Sequence, residues 1–207
     1  MITVHHLNNS RSQRILWLLE ELEVPYQIKF YQRDAVTNLA PPELKAVHPL
    51  GKSPVITDGG TTIAESGAIV DYIIRKHGAG RLAPAANGAD HETYLEWLHY
   101  AEGSGMLPLM LLLYTTRLGE AAAPLKGRID SEIDNHLGYV NQALAGRDYL
   151  LTQGFSGADV QMSFVGEVAR AFGRLQKFPA IGAWVDRLHA RAAFKRALEK
   201  GGAYNLA

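Results

Sequence analysis

Over the first 78 residues short apolar runs alternate with amphipathic stretches; beyond residue 90 only helical spacing continues. Residues 2–7, Ile-Thr-Val-His-His-Leu, read as a short strand and residues 8–10 as a loop. From Ser12 to Glu23, Ile15, Leu16, Leu18, Leu19 and Leu22 recur at helical spacing and form one apolar face. Pro25 closes that helix, and Tyr26–Tyr31 reads as a second strand. A helical crossover of this length makes the two strands parallel. Pro41 or Pro42 opens a short helix through Val47. Val55–Thr57 and Thr62–Ala64 then flank Asp58-Gly59-Gly60, a hairpin signal. Ser66 to His77 is helical in pattern, with Ile69, Val70, Ile73 and Ile74 on one side.

The order β-α-β-α-β-β-α therefore fills residues 1–78 as a small α/β domain. Gly78–Asp90 is rich in Gly, Ala and Pro and has no periodicity, which marks residues 79–90 as a linker. Helices are expected over about 90–118, 125–146, 157–172, 178–190 and 192–200, punctuated by Gly119, Pro124, Gly154 and Pro179. Residues 91–207 thus read as an all-helical domain.

Composition narrows the function. Hydrophobic residues make up 47% of 207, too many for a disordered chain. Lys+Arg and Asp+Glu are equal at 21 each, so no basic stripe points to nucleic acid or an anionic membrane. No apolar run reaches spanning length, since the stretch Met106–Leu113 contains Pro108. The N-terminus lacks the basic start and long apolar stretch of a signal peptide, so a cytoplasmic location is expected. Cysteine is absent, which removes disulfides, thiolate zinc sites and a protein thiol nucleophile. Any sulfur chemistry must use a thiol carried by a ligand. His5 and His6 fall on opposite faces of a strand, and no other histidine pair has metal-ligand spacing, so no metal is expected.

The chemistry concentrates in His48–Ile69. Pro54, lacking an N–H, belongs at a strand end or edge. A cis Ser53–Pro54 bond would turn neighbouring backbone groups toward a ligand, so that a peptide backbone could add like another strand. A trans bond makes it a plain edge proline. Glu65 and Ser66 open a helix whose N–H groups and dipole favour a carboxylate, and Glu65 can meet an ammonium. The pair would grip an amino-acid zwitterion; otherwise Ser66 only caps the helix and Glu65 is exposed.

Leu50-Gly51-Lys52-Ser53-Pro54-Val55-Ile56, the hairpin and Ala64-Glu65-Ser66-Gly67-Ala68-Ile69 resemble the glutathione site of cytosolic glutathione transferases. Asn9-Ser10-Arg11-Ser12-Gln13-Arg14-Ile15-Leu16 is similar to the first helix entry of serine-type members, and Phe155-Ser156-Gly157-Ala158-Asp159 to the capping motif of the second domain. Pro41–Leu44 before His48-Pro49-Leu50-Gly51 is similar to bacterial and fungal members. The resemblance spans the chain. It implies an α/β thioredoxin-like N-terminal domain followed by an all-α C-terminal domain, and a homodimer. It also implies glutathione as co-substrate with no tightly bound cofactor, and a detoxifying transfer to a small hydrophobic electrophile.

On the same resemblance Glu65 and Ser66 hold the γ-glutamyl end, and the Ser53 backbone beside a cis Pro54 holds the cysteinyl part. Lys52 either meets the glycyl carboxylate or is an exposed hairpin lysine. Alignment with serine-type relatives puts the catalytic position on Asn9, next to Ser10. Ser10 is the first candidate thiol donor and Asn9 the second, with Arg11 a source of charge; alternatively Ser10 and Ser12 only cap the helix. Met106, Leu109, Met110, Tyr114 and Arg117, at helical spacing, are candidate electrophile contacts, although such a stripe is also what a core presents. Ser156 and Asp159 fit a capping box. Arg187, Arg191, Lys195, Arg196 and Lys200 read as a solvated helix face. Two readings compete with the transferase: glutathione-dependent peroxide or disulfide reduction, and a non-catalytic binding module of the same fold.

Overall fold

A computed structural model describes residues 1–207. Four strands, β1 (Ile2–Leu7), β2 (Tyr26–Tyr31), β3 (Val55–Asp58) and β4 (Thr61–Ala64), form one sheet in the order β2-β1-β3-β4. β1 and β2 are parallel, joined through α1 (Ser12–Glu21); β3 runs antiparallel to both β1 and β4. The apolar face of α1 is fully buried at Ile15, Leu16, Leu18 and Leu19. Ile69, Val70 and Ile73 of α3 (Ser66–His77) are buried as completely. The short α2 (Leu44–Val47) is anchored by Leu44, which packs with Leu7 and Tyr31. The element order is the one the alternating pattern predicts, and the arrangement is the thioredoxin-like one that the resemblance implies.

By its contacts the chain falls into two compact units, Met1–Ala86 with Leu188–Ala207, and Asn87–Arg187. The first unit thus includes α9 (Ala192–Gly201), which the reading of 91–207 as a single domain assigned to the helical part. Trp17 of α1 packs edge-to-face on Phe194 at 5.3 Å, and Phe194 stacks on His189 at 4.3 Å. The basic run is solvent-accessible as expected, but three of its members also hold carboxylates of α1. Glu20, 7% exposed, accepts hydrogen bonds from Arg196 Nε (3.0 Å), Tyr26 Oη (2.7 Å) and Lys200 Nζ. Glu21 takes both Arg191 Nε (2.6 Å) and Nη2 (2.9 Å). Helical periodicity located these cations but could not reveal the carboxylates, which lie about 170 residues earlier in sequence.

Burial pushes the Glu20 carboxyl up, but the hydrogen bonds from Lys200, Tyr26 and Arg196 outweigh it and hold it below the usual range. A carboxyl depressed in the folded state stabilises above its unfolded value of about 4.3 and loses that contribution as pH falls through the folded value. Parent stability is therefore expected to decline on acidification below about pH 5. Glu20→Gln is expected to lose about 1–3 kcal/mol at neutral pH and to show a shallower acid-side decline in thermal melts.

The second unit is helical. The stretch expected as one helix over 90–118 is α4 (His91–Tyr100), a π-helical turn at Ala101–Gly105, and α5 (Met106–Thr115). Pro108 lies just past the π turn, where the widened hydrogen-bond ladder of a continuous helix accommodates its missing N–H. A 3-10 segment (Thr116–Ala122), interrupted at Gly119, leads to α6 (Ala123–Ala143). α7 (Gly157–Ala171) is buried along nearly its whole length, and α8 (Pro179–His189) follows. Ser156 and Asp159 form the expected capping box: Ser156 N–H donates to Asp159 Oδ2 at 3.0 Å, and Ala158 N–H to Ser156 Oγ at 3.2 Å. No helix is long and apolar enough to cross a membrane.

Candidate functional site

Strand register brings three separated segments to one end of the first unit's sheet. His5 pairs with Val55 and Val55 with Ala64, so the exit of β1, the entry of β3 and the exit of β4 lie side by side. The residues just beyond that line are Asn8–Arg11, Ser53–Pro54 and Glu65–Ser66. Pro54 is buried and follows a cis peptide bond. Ser53 Oγ donates to the His5 carbonyl at 2.9 Å, tying the β3 entry to β1. Lys52 is exposed next to Gly51, whose φ of +57° favours glycine and where a Cβ would fall 2.8 Å from the Lys45 side chain. Of the binding candidates, Ser53, Pro54, Glu65 and Ser66 gather here, with Lys52 at the rim.

Glu65 is the most unusual residue of the group. It is exposed, has φ +67° and ψ +117°, and its carboxylate makes no capping bond to the helix it precedes. A non-glycine residue in this region costs about 1–3 kcal/mol, and no side-chain hydrogen bond to the helix offsets it. Ser66, 4% exposed, accepts a hydrogen bond from Nη2 of Arg14, itself 3% exposed. Arg14 therefore links α1 to the start of α3. It was not among the binding candidates; its signal is a charged residue on the turn before Leu18, within a buried helix face.

The candidate thiol donors differ sharply. His6 Nε2 lies 3.1 Å from the Gly201 carbonyl, which can only accept, so this nitrogen carries the proton. Burial lowers the His6 pKa and keeps the ring neutral, so Nδ1 is an acceptor. Ser12 Oγ, 2.9 Å away, donates to it. The hydroxyl of Ser12 has then spent its proton, and Ser10 Oγ at 2.8 Å must donate to Ser12. Ser10 also accepts the Ser12 N–H at 3.2 Å and is 5% exposed. Its single proton is turned into the protein.

Asn9 is half-buried, with φ +50°. Its side-chain oxygen accepts the Asn205 backbone N–H at 2.8 Å, which fixes which end of the amide is oxygen. The amide nitrogen, with two donors, makes no hydrogen bond within the protein. Arg11 is half-buried at the cap position of α1.

The electrophile candidates all belong to the second unit. Met106 is 1% exposed and is core, with no surface to offer a ligand. Met110 is half-buried, Tyr114 is 59% exposed, and Arg117 is exposed in the 3-10 segment.

Comparison with known proteins agrees with this geometry. Residues 1–75 match the family model described as Glutathione S-transferase, N-terminal domain, and residues 104–192 match Glutathione S-transferase, C-terminal domain. The chain is 34% identical to glutathione S-transferase 3 of Schizosaccharomyces pombe, covering 97% of this chain and 88% of that protein. It is 32% identical to glutathione S-transferase 1 of Saccharomyces cerevisiae, covering 98% and 96%. Among solved structures, a glutathione S-transferase from Actinobacillus pleuropneumoniae superposes with a TM-score of 0.90 at 31% identity, covering 100% of this chain and 95% of that one. A glutathione transferase family member from Pseudomonas fluorescens, solved with two glutathione bound, gives 0.79 at 25% identity over 96% and 92%.

Proposed function

This chain belongs to the glutathione S-transferase family, and from that premise we propose that it joins the glutathione thiolate to small hydrophobic electrophiles. The observation that carries the binding half is Glu65. An exposed carboxylate held in a costly backbone conformation, with no capping bond, is accounted for by a ligand ammonium. Ser66 and the start of α3 then receive the γ-glutamyl carboxylate, and the strand entry at Ser53–Pro54 receives the cysteinyl backbone. Lys52 at the rim suits the glycyl carboxylate.

A free thiol near pKa 8.5 is only a few per cent ionised at neutral pH, and lowering that value by about two units takes roughly 2.7 kcal/mol. A hydrogen bond to a charged acceptor supplies about 1.5–3 kcal/mol and a helix N-terminus about 0.3–1. The Asn9 amide together with the entry of α1 is therefore sufficient. Asn9 takes precedence over Ser10 because its donors are available, with Arg11 adding positive charge. The thiol proton passes to solvent. The sulfur lone pair then forms a C–S bond as the electrophile's leaving group departs, chloride in the case of a chlorinated nitroaromatic.

Met110 and Tyr114, one helical turn apart and partly exposed, support an apolar acceptor. Leu107 and Leu111, also one turn apart at 57% and 42% exposure, support a homodimer. A chain that borrows its thiol requires a compartment that keeps thiols reduced, which is the cytoplasm.

The test is retention on immobilised glutathione combined with turnover of a chlorinated nitroaromatic and of cumene hydroperoxide. Retention with nitroaromatic turnover is expected. Glu65→Ala is expected to weaken glutathione affinity by about 10-fold or more. Turnover of the peroxide alone would favour the reductase, and no retention with no turnover would favour a binding module.

A further inference from the structure

Arg33, two residues beyond β2, has no role in the site described so far. Each nitrogen of its guanidinium donates to a main-chain carbonyl: Nε to Asn8 (3.2 Å), Nη1 to Asn38 (3.0 Å) and Nη2 to Asn9 (3.3 Å). Its own backbone N–H donates to Asn8 Oδ1 at 2.9 Å. One side chain therefore holds both residues of the turn that leads into α1.

The third carbonyl comes from a loop that closes on itself. Asp34 Oδ1 accepts Thr37 N–H (2.7 Å), Thr37 Oγ (2.8 Å) and Val36 N–H (3.1 Å), and Asn38 N–H returns to the Asp34 carbonyl at 2.9 Å. The nearest carboxylate in sequence is thus engaged with its own loop. All of Arg33's acceptors are neutral carbonyls, so its charge is uncompensated. Burial and the like charge of Arg11 both push its pKa down, so the cation is held where it is costly. A merely structural brace could be neutral.

We propose that Arg33 is the positioning residue of the thiol-activating turn: by pinning the Asn8 and Asn9 carbonyls it fixes the direction of the Asn9 amide donors, and its charge favours the thiolate they meet. The Asn205 N–H, holding the amide oxygen of Asn9, completes the same orientation from the other side. This proposal rests on the reading of Asn9 as the donor to glutathione.

Thiolate absorbance of bound glutathione, titrated with pH, tests it in the parent, Asn9→Ala, Arg33→Gln and Arg33→Lys proteins. Arg33→Gln is expected to raise the midpoint by about 1, about a threefold loss of thiolate at neutral pH from a parent midpoint about two below the free thiol. The KM for glutathione should stay unchanged, and kcat should rejoin the parent at high pH. A fold-stabilising role alone would not give that convergence. Arg33→Lys keeps the charge but cannot bridge three carbonyls, so only a partial return is expected. A parent-like midpoint in Arg33→Gln overturns the proposal, as does full recovery in Arg33→Lys. A pH-independent loss of activity together with glutathione affinity overturns it too. If bound glutathione in the parent titrates like the free thiol, the donor reading falls first and this inference falls with it. A lowered parent midpoint that depends on Asn9 and not on Arg33 removes this inference alone.

Discussion

Asn9→Ala is expected to lower conjugation at neutral pH by about 10- to 100-fold while leaving retention on immobilised glutathione intact. The magnitude follows from removing one hydrogen bond to a charged acceptor, about 1.5–3 kcal/mol. Retention is expected to survive because the proposed γ-glutamyl grip at Glu65 and Ser66 lies on α3 and its approach, not on the turn. Ser10→Ala should behave differently. It removes the donor to Ser12 Oγ and the acceptor of the Ser12 N–H, so it costs about 1–2 kcal/mol of stability with a smaller change in turnover. Asn9→Asp is the stringent control, because it keeps the acceptor for Asn205 but places a negative charge beside the sulfur. Its turnover should fall below that of Asn9→Ala. Steady-state kinetics with a chlorinated nitroaromatic, at saturating glutathione, separates the three. Full turnover in Asn9→Ala with a collapse in Ser10→Ala would return the donor role to Ser10.

The proposed preference for Asn9 over Ser10 marks how far a sequence can be read here. Hydroxyl chemistry makes serine the better donor in isolation, and the motif puts both residues at the helix entry. What decides between them is where one proton goes. That depends on His6, whose protonated nitrogen is fixed by the carbonyl of Gly201, 195 residues away. No local pattern carries that information. The same limit hid Arg33, an arginine in an irregular loop with no motif around it. Its role exists only because β2 runs parallel to β1 and ends beside the Asn8–Asn9 turn.

Features set by local chemistry were legible. The Asp58-Gly59-Gly60 turn fixed the hairpin, and its register carries Pro54 and Glu65 to the same end of the sheet. The spacing of Ile69, Val70, Ile73 and Ile74 gave α3, whose observed bounds, Ser66–His77, match the pattern. Across the 90–118 stretch the backbone stays helical through Ala101–Gly105, so a pattern of helical spacing could not separate the π turn from the helices on either side. The mixed Met-rich stripe likewise could not separate Met106, which is core, from Met110 and Tyr114, which reach the surface.

Asp159→Ala is expected to be the most destabilising single change, costing about 3–5 kcal/mol and lowering the melting temperature by more than about 10 °C. The carboxylate is fully buried. It accepts from the Leu150 N–H (3.0 Å), Trp184 Nε1 (3.0 Å), the Ser156 N–H (3.0 Å) and Ser156 Oγ (3.2 Å). Alanine would leave these donors inside the second unit without an acceptor, at about 1–3 kcal/mol for each unsatisfied group. The total stays below that sum because burial pushes the carboxyl up against the pull of its donors, and the variant is relieved of burying a charge. Asp159→Asn should fall between the two. It can keep one oxygen toward Leu150 and Trp184 but turns an NH2 group toward the Ser156 N–H, setting donor against donor. The order parent, Asp159→Asn, Asp159→Ala in urea unfolding followed by tryptophan fluorescence is the expected result, since Trp184 reports on the bond that is lost. An Asp159→Ala protein that unfolds at the parent's urea midpoint would mean that water or a relaxed α7 entry replaces the carboxylate, and that the capping box contributes little to holding this helix in place.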